Sequence, residues 1–140
     1  MKFLLDTCFI SEFAKPDPHP AVMAWLAQQD EFTLHLAAIS ASELKRGVER
    51  LADGKRTRFL QNWLLESVIK RFGERVLPLS LDVILRWGGM QAEVEKHGKP
   101  LPAIDGLIAA TALHHRLTVV TRNVRDMEAS GVSLFNPWRL

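Results

Sequence analysis

The run Lys2-Phe3-Leu4-Leu5 is apolar without alternation and ends at Asp6, the pattern of a short strand buried on both faces of a parallel sheet. Similar short runs at Thr33 to Ala38, Arg75 to Leu79, Leu117 to Thr121 and Val132 to Phe135 predict four more strands. Helical spacing fills the gaps. Thr7 to Phe13 is expected to be helix, stopped by Lys15-Pro16-Asp17-Pro18, and Pro20 to Gln29 places Val22, Trp25 and Leu26 on one side, with Pro20 in the first turn. Ser40 or Ser42 is positioned to cap a helix bearing Glu43, Leu44, Val48 and Leu51, which breaks near Gly54. A long helix from Lys55 to about Phe72 carries Phe59, Leu60, Trp63, Leu64 and Val68 as a stripe. Asp82 to Lys96 is helical through Gly88-Gly89 and ends at His97-Gly98-Lys99-Pro100. Ile104 to His115 is the most apolar helix and is expected against the sheet, and Asn123 to Ala129 is a short one. Alternating strands and helices predict an α/β fold: a three-layer sandwich whose central, mostly parallel sheet is flanked by helices through right-handed crossovers.

Size and composition narrow this to one domain over residues 1–140, since 47% hydrophobic residues are ample for one core. No run approaches the roughly 20 apolar residues needed to cross a bilayer, and Asp6 interrupts the N-terminal run too early for a signal segment. A cytoplasmic protein with no membrane partner is expected. Cys8 is the only cysteine, which excludes an internal disulfide and a cysteine-based zinc site and leaves a small packed side chain as its expected role. The net charge of +2 says little, but its distribution says more. Lys45, Arg46, Arg50, Lys55, Arg56 and Arg58 face only Glu49 and Asp53, so one stripe is strongly basic and the remainder slightly acidic. Such a stripe is either a solvated helix face or a hold on a polyanion backbone.

Asp6, Glu43 and Asp105 carry the chemistry. In open parallel sheets ligands bind beyond the carboxyl ends of the strands, where Asp6 and Asn123 follow strands and the helix starts bearing Glu43 and Asp105 can converge. Each acid alone has an ordinary reading as a cap or a first-turn acid. Three carboxylates gathered together repel unless a cation lies between them, and an all-oxygen donor set suits Mg²⁺ or Mn²⁺ better than zinc. Other chemistries lack their residues: Asp6-Thr7-Cys8 has no Asp-x-Asp, Gly54-Lys55 has no P-loop spacing, and no His-Glu-x-x-His occurs. His114-His115 reads as a helix C-terminal pair.

The blocks Leu4-Leu5-Asp6-Thr7-Cys8-Phe9-Ile10-Ser11-Glu12, Ile39-Ser40-Ala41-Ser42-Glu43-Leu44-Lys45-Arg46-Gly47, Asp105-Gly106-Leu107-Ile108-Ala109-Ala110-Thr111-Ala112 and Val119-Val120-Thr121-Arg122-Asn123-Val124-Arg125-Asp126 resemble, in order and spacing, the signature blocks of PIN-domain proteins. The likeness runs to Phe135-Asn136-Pro137-Trp138 and is greatest to the VapC and FitB toxins of toxin-antitoxin pairs. It implies a Mg²⁺- or Mn²⁺-dependent endoribonuclease, homodimeric, neutralised by a VapB/FitA-like antitoxin in a heterotetramer or larger assembly that reaches operator DNA through the antitoxin. The family's metal-ligating roles carry over to Asp6, Glu43 and Asp105. At the fourth acidic position this chain has Asn123, with Asp126 three residues on, and either completes the catalytic set. The rival reading keeps the fold and makes it a weakly active or inactive binding module, the dimeric partner of a DNA-binding repressor. The stripes Val22, Trp25, Leu26 and Phe59, Trp63, Leu64 are expected to serve assembly.

Overall fold

The computed structural model describes residues 1–139. Five parallel strands form one sheet in the order β3-β2-β1-β4-β5. At its centre β1 (Phe3–Leu5) pairs with β2 (Leu34–Ala37) and with β4 (Thr118–Val120), so that Leu5 lies between Leu36 and Val120. The edges are β3 (Val76–Leu77) and β5 (Leu134–Phe135). This is the expected α/β sandwich, with the strands trimmed. The run Arg75 to Leu79 yields only two strand residues: Arg75 sits in a 3₁₀ turn, its guanidinium donating to the carbonyls of Glu31 and Leu34, and Pro78 has no N–H for a ladder.

The strands bury side chains on both faces. Phe3 and Leu5 enter a cluster with Phe9, Val22 and Trp25, while Leu4 enters a second with Ile108, Ala109, Val119 and Met127. The first is rich in edge-on aromatic contacts: the rings of Phe3 and Trp25 lie 5.1 Å apart, and those of Phe9 and Trp138 lie 6.1 Å apart.

α1 (Thr7–Glu12) and α2 (Pro20–Ala27) follow β1, and α3 (Ala38–Glu49) follows β2. α4 (Lys55–Asn62) continues through a π-helical stretch, Trp63–Ile69, into α5 (Lys70–Phe72). α6 (Leu81–Lys96), α7 (Ala103–His115) and α8 (Val124–Met127) complete the set.

Three expectations are corrected. α3 is capped by neither Ser40 nor Ser42: its N-cap is Ala37, without a side-chain bond, because β2 runs directly into the helix. Ser40 is fully buried and Glu43 stands in the second turn. Phe59 leaves the apolar stripe and is exposed beneath Arg56, 5.5 Å from guanidinium carbon to ring centre. Leu60, Leu64 and Val68 of the same stripe face inward as expected, the last two within the π-helical stretch that begins after Phe59. Finally, Val22, Trp25 and Leu64 are core rather than interface, since α2 and the π stretch both lie over the β1 and β2 side chains.

α6 and α7 pack closely at Gly106, where a Cβ would come 2.9 Å from Trp87 Nε1. A side chain there would have to displace the indole, so the absent Cβ sets the depth of the helix start that bears Asp105. No helix is long and apolar enough to cross a membrane among the described residues.

Candidate active site

Asp6 begins where β1 ends. Its backbone N–H extends the ladder to the Val120 carbonyl at 3.0 Å, and its side chain turns back as the N-cap of α1. The carboxylate is buried but well partnered: Oδ1 accepts from Thr7 N at 2.8 Å and Oδ2 accepts from Thr121 Oγ1 at 2.7 Å. Thr7 serves a second acid, because its hydroxyl donates to Glu43 Oε1 at 2.6 Å. One threonine thus fixes Asp6 through its backbone and Glu43 through its side chain, joining α1 to α3.

Cys8 Sγ stands 3.5 Å from Asp6 Oδ2 and 3.6 Å from Thr121 Oγ1. Burial and the Asp6 charge push its thiol up to about 11. It is a partly buried neighbour of the site, present as the neutral thiol at physiological pH.

Asp105 enters from the other side, in the first turn of α7. Burial, and then the charges of Asp6, Asp126 and Glu43, push its carboxyl up to about 6. That shift identifies the residues whose fields converge: three of them are the acids read from the sequence, and the fourth is Asp126, exposed in the first turn of α8. Asn123 is the N-cap residue of α8, exposed, with no side-chain capping bond; its backbone N–H donates to Thr121 Oγ1 at 2.9 Å. Asp126 therefore reaches the cluster electrostatically, and Asn123 is tied to it through the hydroxyl that also holds Asp6.

Among the described residues no group of three histidine, cysteine or acidic side chains is drawn close enough to enclose an ion. The donor set nevertheless fits a hard divalent cation, being all oxygen and electrostatically strained at Asp105, and a dication would relieve that strain.

Beside the cluster, Lys45 pairs with Glu49 at 3.0 Å and Arg58 with Asp53 at 3.9 Å, whereas Arg56 donates to the Ala14 carbonyl. Arg46 and Arg50 are exposed and enter none of the ion pairs found among the described residues. They leave positive charge on α3 one and two turns beyond Glu43.

Sequence reasoning missed Thr7 and Thr121 as working residues, although both lie in the quoted blocks. A hydroxyl residue directly after a strand that ends at an acid is a usable signal for Thr7; Thr121 offers only its place at the carboxyl end of β4. It also missed Glu12, whose partners are far apart in the chain.

These features meet in a known family. Residues 3–129 match the PIN domain, and the chain belongs to that family. It is similar to the VapC ribonuclease Y4jK of Sinorhizobium fredii, 40% identical over 135 residues that cover 96% of each protein. Toxin FitB of Neisseria gonorrhoeae is likewise 40% identical, over 96% of this chain and 97% of that one. The solved structure of FitAB bound to an IR36 DNA fragment contains a chain that superimposes with a TM-score of 0.93 at 38% identity, covering 99% of this chain and 96% of that one.

Proposed function

We propose that the chain is a Mg²⁺- or Mn²⁺-dependent endoribonuclease of the cytoplasm, the toxin of a VapBC-type pair. The observation that carries this is the convergence of the Asp6, Glu43 and Asp126 charges on a half-buried Asp105 carboxyl pushed up to about 6. Asp6 and Asp105 would hold the ion, with Glu43 supporting it directly or through water. When bound, the ion lowers the pKa of a coordinated water and offsets the charge that gathers on phosphorus. Thr7 and Thr121 hold the Glu43 and Asp6 oxygens in place, and Arg46 and Arg50 attract the RNA backbone. Asp126 or Asn123 completes the acid set.

The partner is a VapB/FitA-like antitoxin. An apolar cavity of about 390 Å³, lined by Phe13, Leu26, Trp63 and Phe72 with Arg71 and Arg75 beside them, has the character of a groove for an amphipathic helix. A smaller cavity of about 140 Å³ shares Trp63 and extends to Glu43, so a chain leaving the first can send a side chain toward the acids. The FitAB structure is bound to an IR36 DNA fragment, and the complex of this chain would likewise bind DNA, reaching an operator through its antitoxin. Homodimerisation would use the exposed Leu81, Ile84 and Leu85 on α6, spaced along one face.

Expression of this chain alone should arrest growth, co-expression of its antitoxin should relieve the arrest, and Asp105→Asn should abolish it. Purified protein should cleave single-stranded RNA in Mn²⁺ and stop in EDTA. A wild-type chain that neither arrests growth nor cleaves RNA with metal present would establish the alternative, a PIN-fold binding module partnering a repressor.

A further inference from the structure

Glu12 is a buried carboxylate that the proposed chemistry does not use. It is 2% exposed, yet four donors reach it, two from the same region of the chain and two from its far end. Oε1 accepts from Trp138 Nε1 at 3.0 Å, from Arg122 at 3.3 Å and from Lys15 at 3.3 Å, and Oε2 accepts from His19 N at 3.1 Å. Arg122 also lies over the Trp138 ring, 4.6 Å from its centre. The guanidinium is thus held by a carboxylate on one side and an indole on another, an arrangement that a planar cation fills and an ammonium does not. Burial alone would push the Glu12 carboxyl up; the bonds from Trp138, His19 and Lys15 outweigh it, so the group stays below the usual carboxylate range and charged.

What Arg122 is attached to gives this cluster its meaning. Thr121, on one side, donates to Asp6 Oδ2, and Asn123, on the other, donates its N–H back to the Thr121 hydroxyl. The three residues form a single turn at the end of β4, and Arg122 is the side chain of the turn that reaches Glu12. The Thr121 backbone is held in the sheet by its N–H to the Phe135 carbonyl at 2.9 Å, so a turn free to swing at Arg122 would move Asn123 and loosen the Thr121 hydroxyl that Asp6 and Asn123 share.

We propose that Glu12 is a positioning residue: with Trp138 it clamps Arg122, and so holds the Thr121–Asn123 turn against Asp6 and sets how tightly the pocket takes its divalent ion. The last part rests on the metal-dependent reading above. The site is therefore completed by the C-terminal segment, which contributes no ligand.

The test compares wild type, Glu12→Gln, Arg122→Met and the double variant. In metal-free protein, hydrogen exchange at the Asn123 amide should quicken about tenfold in each variant relative to amides of β1, and calorimetry with Mn²⁺ should show affinity weakened about tenfold, the usual scale for residues behind a metal ligand. Because both act through one contact, the double variant should be no worse than either single one. Should Glu12→Gln fail to fold, Arg122→Met keeps the question open to measurement, since it leaves the carboxylate three other donors. A purely structural Glu12 would lower the melting temperature and leave Mn²⁺ affinity unchanged, which overturns the proposal. Unchanged exchange at Asn123, or additive effects in the double variant, would overturn it as well. Wild-type protein that gives the same heat as Asp105→Asn with Mn²⁺ would instead defeat the metal-dependent reading, and exchange at Asn123 would then decide the clamp alone.

Discussion

The two sides of the acidic pocket are built differently. On the β1 side, Asp6 and Glu43 are locked by Thr7 and Thr121 through bonds of 2.6 to 2.8 Å. On the α7 and α8 side, Asp105 is held by its place in the helix and by the close packing at Gly106, and Asn123 and Asp126 are exposed. One side is preorganised and the other carries the strain. A pocket so divided can meet an incoming ion with fixed oxygens and complete its coordination with the rest.

The strongest way to break the comparison is to remove one acid from each side. Asp6→Asn and Asp105→Asn should both reduce RNA cleavage on the order of a thousandfold, since the ion supplies several kcal/mol of transition-state stabilisation. Their stabilities should part. Asp105→Asn removes a repelled charge and should raise the melting temperature in EDTA. Asp6→Asn weakens two charge-assisted bonds inside the protein and should cost about 1 to 3 kcal/mol. Chemical denaturation of the metal-free proteins measures this, and equal stabilities would erase the distinction between the two sides.

A smaller effect is expected at Thr7. Thr7→Val keeps the shape and the backbone bond to Asp6 but releases Glu43, and cleavage should fall about 10- to 100-fold with little change in the binding of RNA. Activity near that of wild type would mean that Glu43 needs no orientation.

The loosely built side is sharpened by a cycle between Asn123→Asp and Asp126→Ala. The new carboxylate should lower the Mn²⁺ concentration needed for cleavage, and Asp126→Ala should matter more in the natural protein than in the Asn123→Asp background. Strict additivity would reduce Asp126 to a surface acid whose field merely reaches Asp105.

The smallest effect is on pH dependence. The folded Asp105 carboxyl titrates near 6, above its unfolded value, so its folded form prefers the proton. Stability in EDTA should therefore be highest below the ordinary carboxylate range and decline as pH rises toward and through 6. Solvent screening of this half-exposed group keeps the loss small. Glu12 works in the opposite sense: its depressed carboxyl contributes stability above the ordinary range, which disappears as pH falls through its folded value. Urea midpoints across pH 2 to 8 should lose the first slope in Asp105→Asn or in saturating Mn²⁺ and keep the second.

Much of this was legible in the chain. Phe3, Leu4 and Leu5 announced a strand buried on both faces, and Asp6 and Asp105 were placed by the rule that parallel sheets bind at their carboxyl ends. What stayed hidden depends on phase and distance. Phe59 falls on the apolar stripe of its helix by spacing alone, yet it stands exposed beneath Arg56. Ser40 suits a cap by residue type, but the strand runs into the helix through Ala37, which takes the cap position and leaves Ser40 buried inside the first turn. Glu12 gives no local signal of its burial, because Trp138 and Arg122, which enclose it, arrive from the far end of the chain.

The central position of β1 has a consequence for synthesis. The first strand made is completed only late, since Asp6 waits for a hydroxyl 115 residues downstream and its second neighbour in the sheet emerges with it. At ordinary translation rates this delay is on the order of ten seconds, during which Asp6 exists but the hydroxyl that holds it does not. Whatever the acidic pocket does is thus withheld until the chain is nearly finished.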